Sequence, residues 1–129
     1  MGSEVYTDNG YRTFVEKTTG QLTGKEGYLV ELASDGKVQL LTSGLAIGVM
    51  HGKLEGGEHV NIRLLGKGGT VKCVKGGAIT VGTRAKGASG GKIVAASTTG
   101  DRSIGIVISP ATNGADGDVC EVLDVVEKV

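Results

Sequence analysis

The sequence is short of aromatic residues and has no excess of charge. It contains no tryptophan, one phenylalanine and three tyrosines, and its 14 lysine and arginine residues balance 14 aspartate and glutamate residues. Nucleic-acid binding depends on neutralising phosphates and, for single strands, on stacking bases against rings, so no nucleic-acid partner is expected. The shortage of rings also disfavours a carbohydrate-binding module. No apolar run approaches the roughly 18 residues of a membrane span, so no membrane partner is expected.

Motifs for catalysis and cofactor binding are missing as well. The phosphate-loop pattern G-x-x-x-x-G-K-[ST] does not occur, and Gly66-Lys67-Gly68 lacks the final glycine of a dinucleotide fingerprint, so this segment is predicted to be a turn. His51 and His59 have no acidic or cysteine ligands at metal spacing, and we interpret them as solvent-facing strand ends. No nucleophile-elbow motif surrounds the serines. The sequence therefore predicts a protein that is not an enzyme and has no catalytic residues, cofactor or metal.

The two cysteines, Cys73 and Cys120, fit no metal-binding spacing. We interpret them as small, half-buried hydrophobic residues. Whether they form a disulfide depends on the redox compartment, which the sequence leaves open.

Glycine is abundant, at 24 of 129 residues, whereas its average share in proteins is about 7%. Long helices are therefore disfavoured. Asn9-Gly10, Asp35-Gly36, Asn113-Gly114 and Asp116-Gly117 are typical of tight turns. Apolar residues alternate between these turns, as strands with one buried face require. The alternating residues are Val60, Ile62 and Leu64, then Ile79 and Val81, then Ile104, Ile106 and Ile108. The valine-rich C-terminus, DVCEVLDVVEKV, is predicted to be a strand.

An internal repeat organises these strands. Residues 27–38 (GYLVELASDGKV) align with 82–93 (GTRAKGASGGKI). Further matches follow in the same order: Ile47-Gly48-Val49 with Ile104-Gly105-Ile106, and Gly57-Glu58 with Gly117-Asp118. Two such units, related by a pseudo-twofold, can close a sandwich or barrel and hide its edge strands. The predicted fold class is therefore all-β: a single compact β-sandwich or barrel built from two duplicated halves.

The repeat defines the expected domain organisation. Residues 15–129 are predicted to form a single β domain with half-repeats at about 18–65 and 73–125, joined by Gly66–Thr70. Residues 1–14 stand outside the aligned repeat and are predicted to form an extended N-terminal arm. The arm carries Tyr6, Tyr11, Arg12 and Phe14. Because aromatic residues are common interface anchors, these four residues are the candidate partner-binding site, with capping of the barrel's own end as the alternative.

The second half resembles a known family. Four segments carry the resemblance: VKGGAITVG (74–82), GKIVAA (91–96), IGIV (104–107) and ADGDV (115–119). Together they resemble the capsid decoration, or head cement, proteins of tailed phages, over roughly residues 15–125. The resemblance implies a compact β fold, commonly a homotrimer, that binds the outside of the expanded head and bridges major capsid subunits. It also implies localisation in the virion after synthesis in the bacterial host cytoplasm.

A second hypothesis places the function at two lysines. Lys37 and Lys92 hold equivalent positions in the two predicted hairpins, where biotinyl and lipoyl carrier domains present a modified lysine. Neither Met-Lys-Met nor Asp-Lys-Ala occurs at these positions, which favours hydrated lysines at turns. The mass of the protein from its native source distinguishes a modified carrier from a virion structural protein.

Overall fold

The structure is a computed structural model and describes residues 10–53, 58–110 and 115–128. The described residues form β-strands and no helix, as expected for a sequence interrupted so often by glycine. Consequently, none of them lies in a helix that could cross a membrane. The strands are β1 (Tyr11–Val15), β2 (Leu29–Leu32), β3 (Val38–Leu40), β4 (Ala46–Lys53), β5 (His59–Leu64), β6 (Thr70–Val74), β7 (Arg84–Gly87), β8 (Ile93–Ala95), β9 (Arg102–Ser109) and β10 (Val119–Lys128).

The strands make two five-stranded antiparallel sheets with the same internal order. The first sheet runs β1-β5-β4-β2-β3, and the second runs β6-β10-β9-β7-β8. Each strand of the second sheet therefore has a counterpart five strands earlier in the chain. The all-β prediction is confirmed, and the matching orders are those that two duplicated halves require.

Backbone hydrogen bonds outside the strand ladders also recur between the halves. Three matched examples are Glu16 N to Glu58 O (2.9 Å) with Lys75 N to Asp118 O (2.8 Å), Met50 N to Tyr28 O (2.8 Å) with Val107 N to Thr83 O (3.0 Å), and Leu64 N to Gly10 O (2.6 Å) with Asp124 N to Gly69 O (2.9 Å). These bonds fix the equivalence residue by residue. They also extend the repeat to residues 10–15, since β1 is the counterpart of β6.

The predicted turns and strands largely coincide with the observed ones. Gly36 and Gly91, at matching places in the two hairpins, have φ angles of 82° and 91°, which glycine adopts without steric cost. The segment 66–69 connects the two sheets, and the C-terminal valine-rich segment is β10. The Asn113-Gly114 turn and Gly57 lie outside the described residues. The predicted strand at Ile79 and Val81 is wrong: both lie in the loop between β6 and β7, with Ile79 buried and Val81 exposed.

The buried residues form two apolar clusters, one on each side of the first sheet. Leu29 and Val30 are adjacent on β2 but belong to different clusters, because successive strand residues point to opposite faces. The first sheet's own cluster includes Leu22, which the loop before β2 places over the sheet. The larger cluster joins the buried face of the second sheet to Leu29, Leu41, Ala46 and Val49 of the first half.

The contact between the halves is head to tail, which corrects the predicted pseudo-twofold. Leu29 and Val49 pack into the larger cluster, whereas their equivalents Arg84 and Ile106 do not belong to it. Arg84 is exposed and Ile106 is half-buried. One face of the first half therefore packs on a different face of the second half. The face of the second half that contains Arg84 and Ile106 is left uncovered by the first half.

Candidate interaction surface

The structure places three of the four predicted partner-binding residues on β1, at the edge of the first sheet. Tyr11 lies opposite Arg63, Arg12 opposite Ile62, and Phe14 opposite Val60. Tyr6 lies outside the described residues.

Alternation along β1 separates these residues onto two faces of the sheet. Tyr11 packs edge-on against His51, with ring centroids 4.9 Å apart and planes at 64°. On the other face, the Arg12 guanidinium lies 5.0 Å from the centre of the Phe14 ring, and Phe14 packs partly against the first sheet's own cluster. The predicted arm site is therefore two separate surfaces, and Phe14 serves the fold as well as a surface.

Tyr11 belongs to a cleft at the junction of the two halves. The cleft has a volume of about 290 Å³. Its first-half wall carries Tyr11, His51 and Arg63, and its second-half wall is the β6 segment Thr70–Lys72. His51 and His59 are exposed, as predicted. Within the described ranges, no three His, Cys, Asp or Glu residues are grouped so that they could hold a metal.

A buried ion pair holds the cleft walls together. The Asp124 side chain is fully buried, and its Oδ2 lies 3.1 Å from Nη1 of Arg63. The same carboxylate accepts hydrogen bonds from the backbone N–H groups of Gly66 (2.8 Å) and Lys67 (2.9 Å). Arg63 also donates to the carbonyl oxygens of Leu64 and Gly68. The connection between the halves is thus held by side chains from both halves. The two walls of the cleft that contains Tyr11 are therefore fixed relative to each other.

Comparison with known proteins adds to this picture. No family model matches the chain, and no curated protein sequence matches it significantly. Among solved structures, the chain is similar to the crystal structure of the head fiber gp8.5 N base of bacteriophage phi29, with a TM-score of 0.62. The match covers 92% of this chain and 98% of that chain, at 13% sequence identity. The fold is that of a phage head-fiber base.

The likeness spans both halves of this chain. Because it covers 92% of this chain, it includes the junction and both sheets rather than one sheet alone. At 13% identity the shared property is the fold, and it does not assign a role to Tyr11 or to any other side chain.

The lysines of the carrier hypothesis lie at equivalent positions in the two hairpins, as predicted. The hairpins close by matching bonds, Ala33 N to Lys37 O and Ala88 N to Lys92 O, each 2.8 Å. Lys92 Nζ lies 2.8 Å from Asp116, and this hydrogen bond raises the pKa of Lys92. Modification of either lysine stays an untested prediction.

The cysteines are direct cross-strand partners, a relationship that their spacing in the sequence does not reveal. Cys73 on β6 lies opposite Cys120 on β10, and both are buried free thiols. Burial raises the pKa of both thiols. They are more deeply buried than predicted, and they pack as part of the larger cluster.

Sequence reasoning missed Arg63 and Asp124. A signal for Asp124 was present, since alternation from Val122 to Val126 on β10 predicts an apolar residue at position 124, and its equivalent in the first half is Leu64. A carboxylate at an inward position needs buried partners. Nothing in the sequence identified Arg63 as that partner.

Proposed function

We propose that the chain is a decoration, or cement, protein of a tailed-phage head, which acts by binding rather than by catalysis. It binds the outer surface of the expanded head as a homotrimer and bridges neighbouring major capsid subunits. It is made in the bacterial host cytoplasm and functions in the virion.

The likeness to the head-fiber base carries this proposal. It spans both halves of the chain and nearly the whole of a protein whose name places it on a phage head, which supports a head-associated structural role. The sequence resemblance to decoration proteins points to the same class of particle. Balanced charge and the glycine-turned β fold suit a part that binds other proteins in many copies.

The surface proposed to meet the capsid or a neighbouring subunit is the β1 edge. Tyr11 and Arg12 are exposed there on opposite faces, and Tyr6 precedes them in the chain. An edge strand also presents backbone groups that can pair with a neighbouring chain.

Binding to heads tests the proposal directly. The purified protein is mixed with expanded heads and, separately, with unexpanded heads of its phage, and the bound protein is measured after sedimentation. We expect saturable binding to expanded heads and higher thermal stability of the decorated shell. A protein that sediments with neither form of head would refute the role.

Two variants locate the contact. Tyr11→Ala and Arg12→Ala are expected to lower occupancy, whereas Lys17→Ala, which removes a nearby exposed charge paired with Asp35 at 2.7 Å, should bind as the parent does. Unchanged occupancy in both β1 variants would exclude this edge while leaving head binding itself in place.

A further inference from the structure

The outer face of the second sheet carries a group of exposed apolar side chains. We name it the β9–β10 face, and it consists of Ile106, Ile108, Val119, Leu123 and Val125. Leu123 lies directly opposite Ile106 in the β9–β10 ladder. The exposed fractions are 40% for Ile108, 51% for Val119, 37% for Leu123 and 39% for Val125, and Ile106 is half-buried. Isolated exposed apolar residues are ordinary, but neighbouring ones on adjacent strands are typical of a binding surface.

Comparison with the first half shows that this face departs from its own repeat. The matched hydrogen bonds make Val49, His51, His59, Arg63 and Leu65 the equivalents of the five residues, in the same order. Val49 and Leu65 pack into the cluster that joins the halves. His51, His59 and Arg63 are polar. In the first half, therefore, the apolar residues are covered and the others are polar, whereas in the second half all five are apolar, four of them exposed and Ile106 half-buried.

The first half also shows what covers a face of this kind. There, the β6 segment Thr70–Lys72 faces Val49 and His51 from the opposite wall of the junction cleft. The counterpart of β6 in the repeat is β1, since each is the first strand of its half and forms the edge of its sheet. Repeating the head-to-tail step once more places a β1 strand on the β9–β10 face. This chain's own β1 is held at the edge of the first sheet beside β5, so the strand that continues the repeat on the second sheet comes from another copy.

The open groove is continuous with the existing interface between the halves. A second groove, of about 460 Å³, runs over Val119 and Glu121 toward Ser109 and Pro110. Thr70, Val71 and Lys72 line both this groove and the junction cleft. Two polar pairs lie among and beside these apolar residues: Ser109 Oγ is 3.1 Å from Glu121, which stands between Val119 and Leu123 on β10, and Arg84 Nε is 2.6 Å from Glu127. Apolar side chains combined with polar ones are usual in a protein–protein interface.

We propose that the β9–β10 face binds the β1 edge of a second copy of this chain, head to tail. The contact joins two different surfaces, so it closes into a ring when the rotation between copies permits and otherwise continues as a filament. It gives the proposed trimer a specific interface. The contact belongs to the free protein and is tested without a phage head, so its failure leaves the head-binding role standing.

Light scattering on the purified chain tests the proposal. The wild type is expected to have the mass of a closed oligomer, and Leu123→Lys is expected to have the mass of a single chain. The matched control is Leu45→Lys, because Leu45 is 67% exposed and lies outside the β9–β10 face. Far-ultraviolet circular dichroism and thermal unfolding confirm that each variant is folded. A second variant on the same face, Ile108→Lys, keeps the test valid if Leu123→Lys does not fold.

Hydrogen exchange then identifies the partner surface. In a head-to-tail contact, amides of β1 gain protection as the protein concentration rises, and Leu123→Lys abolishes the gain. Three results would overturn the proposal: a monomeric wild type, an oligomer whose mass neither lysine variant changes, or an oligomer in which β1 gains no protection. A monomer whose β9–β10 face is protected only when heads are added would assign this face to the shell protein, and that also overturns the proposal.

Discussion

Asp124 and Arg63 join the two halves through a buried ion pair in which Oδ2 of the carboxylate lies 3.1 Å from Nη1 of the guanidinium. The Asp124 side chain is fully buried and that of Arg63 is 12% exposed. Because the carboxylate also binds two backbone N–H groups of the connecting segment, it ties β10 of the second half to the end of the first. The loop that joins the sheets is therefore held by their side chains as well as by chain connectivity.

Removing this carboxylate should strongly destabilise the fold. Asp124→Ala removes the carboxylate partner of Arg63 and the acceptor of the backbone N–H groups of Gly66 and Lys67, and breaking a buried pair costs about 3–5 kcal/mol. Urea unfolding followed by circular dichroism measures the loss. The control is Asp35→Ala, whose partner Lys17 lies 2.7 Å away in an exposed pair with side chains 42% and 38% exposed. Exposed pairs contribute little to stability, so equal losses in the two variants would contradict the assigned role.

Two glycines on β4, Gly48 and Gly52, provide a second test variant and its control. A Cβ on Gly48 would lie 2.5 Å from Ile62 Cγ2 and 2.6 Å from the backbone oxygen of Arg63, whereas a Cβ on Gly52 meets nothing within 4 Å. We expect Gly48→Ala to lower the free energy of unfolding by about 1–3 kcal/mol or more, since the neighbouring strand must shift. Gly52→Ala should be nearly neutral. Similar urea midpoints for the two variants would show that the sheet accommodates the added methyl group.

The repeat explains how much of the fold was predictable from the sequence. Motifs shared by residues 27–38 and 82–93 predicted two similar all-β units, because glycine at a tight turn is constrained by backbone geometry whatever surrounds it. The counterpart relation of β1 and β6 was not predictable. The two strands, YRTFV and TVKCV, share little sequence, and their equivalence lies in backbone hydrogen bonds.

The candidate surface was predictable only in part. The concentration of aromatic residues near the N-terminus drew attention to Tyr11, Arg12 and Phe14, but sequence proximity cannot show that β1 pairs with β5 and divides them between two faces. The partnership of Arg63 with Asp124 spans 61 positions. Pairings of this kind depend on the packing of the halves, which local pattern does not encode.

Stability should fall in acid because of Glu31. Burial by itself raises the pKa of this carboxyl, but hydrogen bonds from the backbone and hydroxyl of Thr42, from Gln39 and from Gly44 outweigh it and lower the pKa to about 2. A pKa lower in the folded state than in the unfolded chain stabilises the fold above the unfolded value of about 4.3. This contribution, about 3 kcal/mol, is lost as the pH falls from about 5 to about 2.

Urea unfolding across that pH range measures the Glu31 contribution. In Glu31→Gln the slope of unfolding free energy against pH should be shallower, and the variant should be less stable than the parent at neutral pH. The buried Glu16 also has a lowered pKa, through hydrogen bonds from Lys53, Gly20 and Leu22, so some slope will remain. A Glu31→Gln profile parallel to that of the parent would contradict the assignment.

The paired cysteines should report unfolding. Cys73 and Cys120 lie opposite each other in the β6–β10 ladder, and burial raises the pKa of both thiols, so the reactive thiolate is scarce in the folded state. An aromatic disulfide reagent should therefore label the native protein far more slowly than the unfolded chain. The labelling rate of the native protein should rise with urea concentration, because opening of β6 or of the whole domain becomes more frequent. The single variants Cys73→Ala and Cys120→Ala separate the two thiols. Because β6 is an edge strand, labelling that depends only weakly on urea would indicate local opening of that strand, whereas rapid labelling of both thiols without denaturant would contradict their burial.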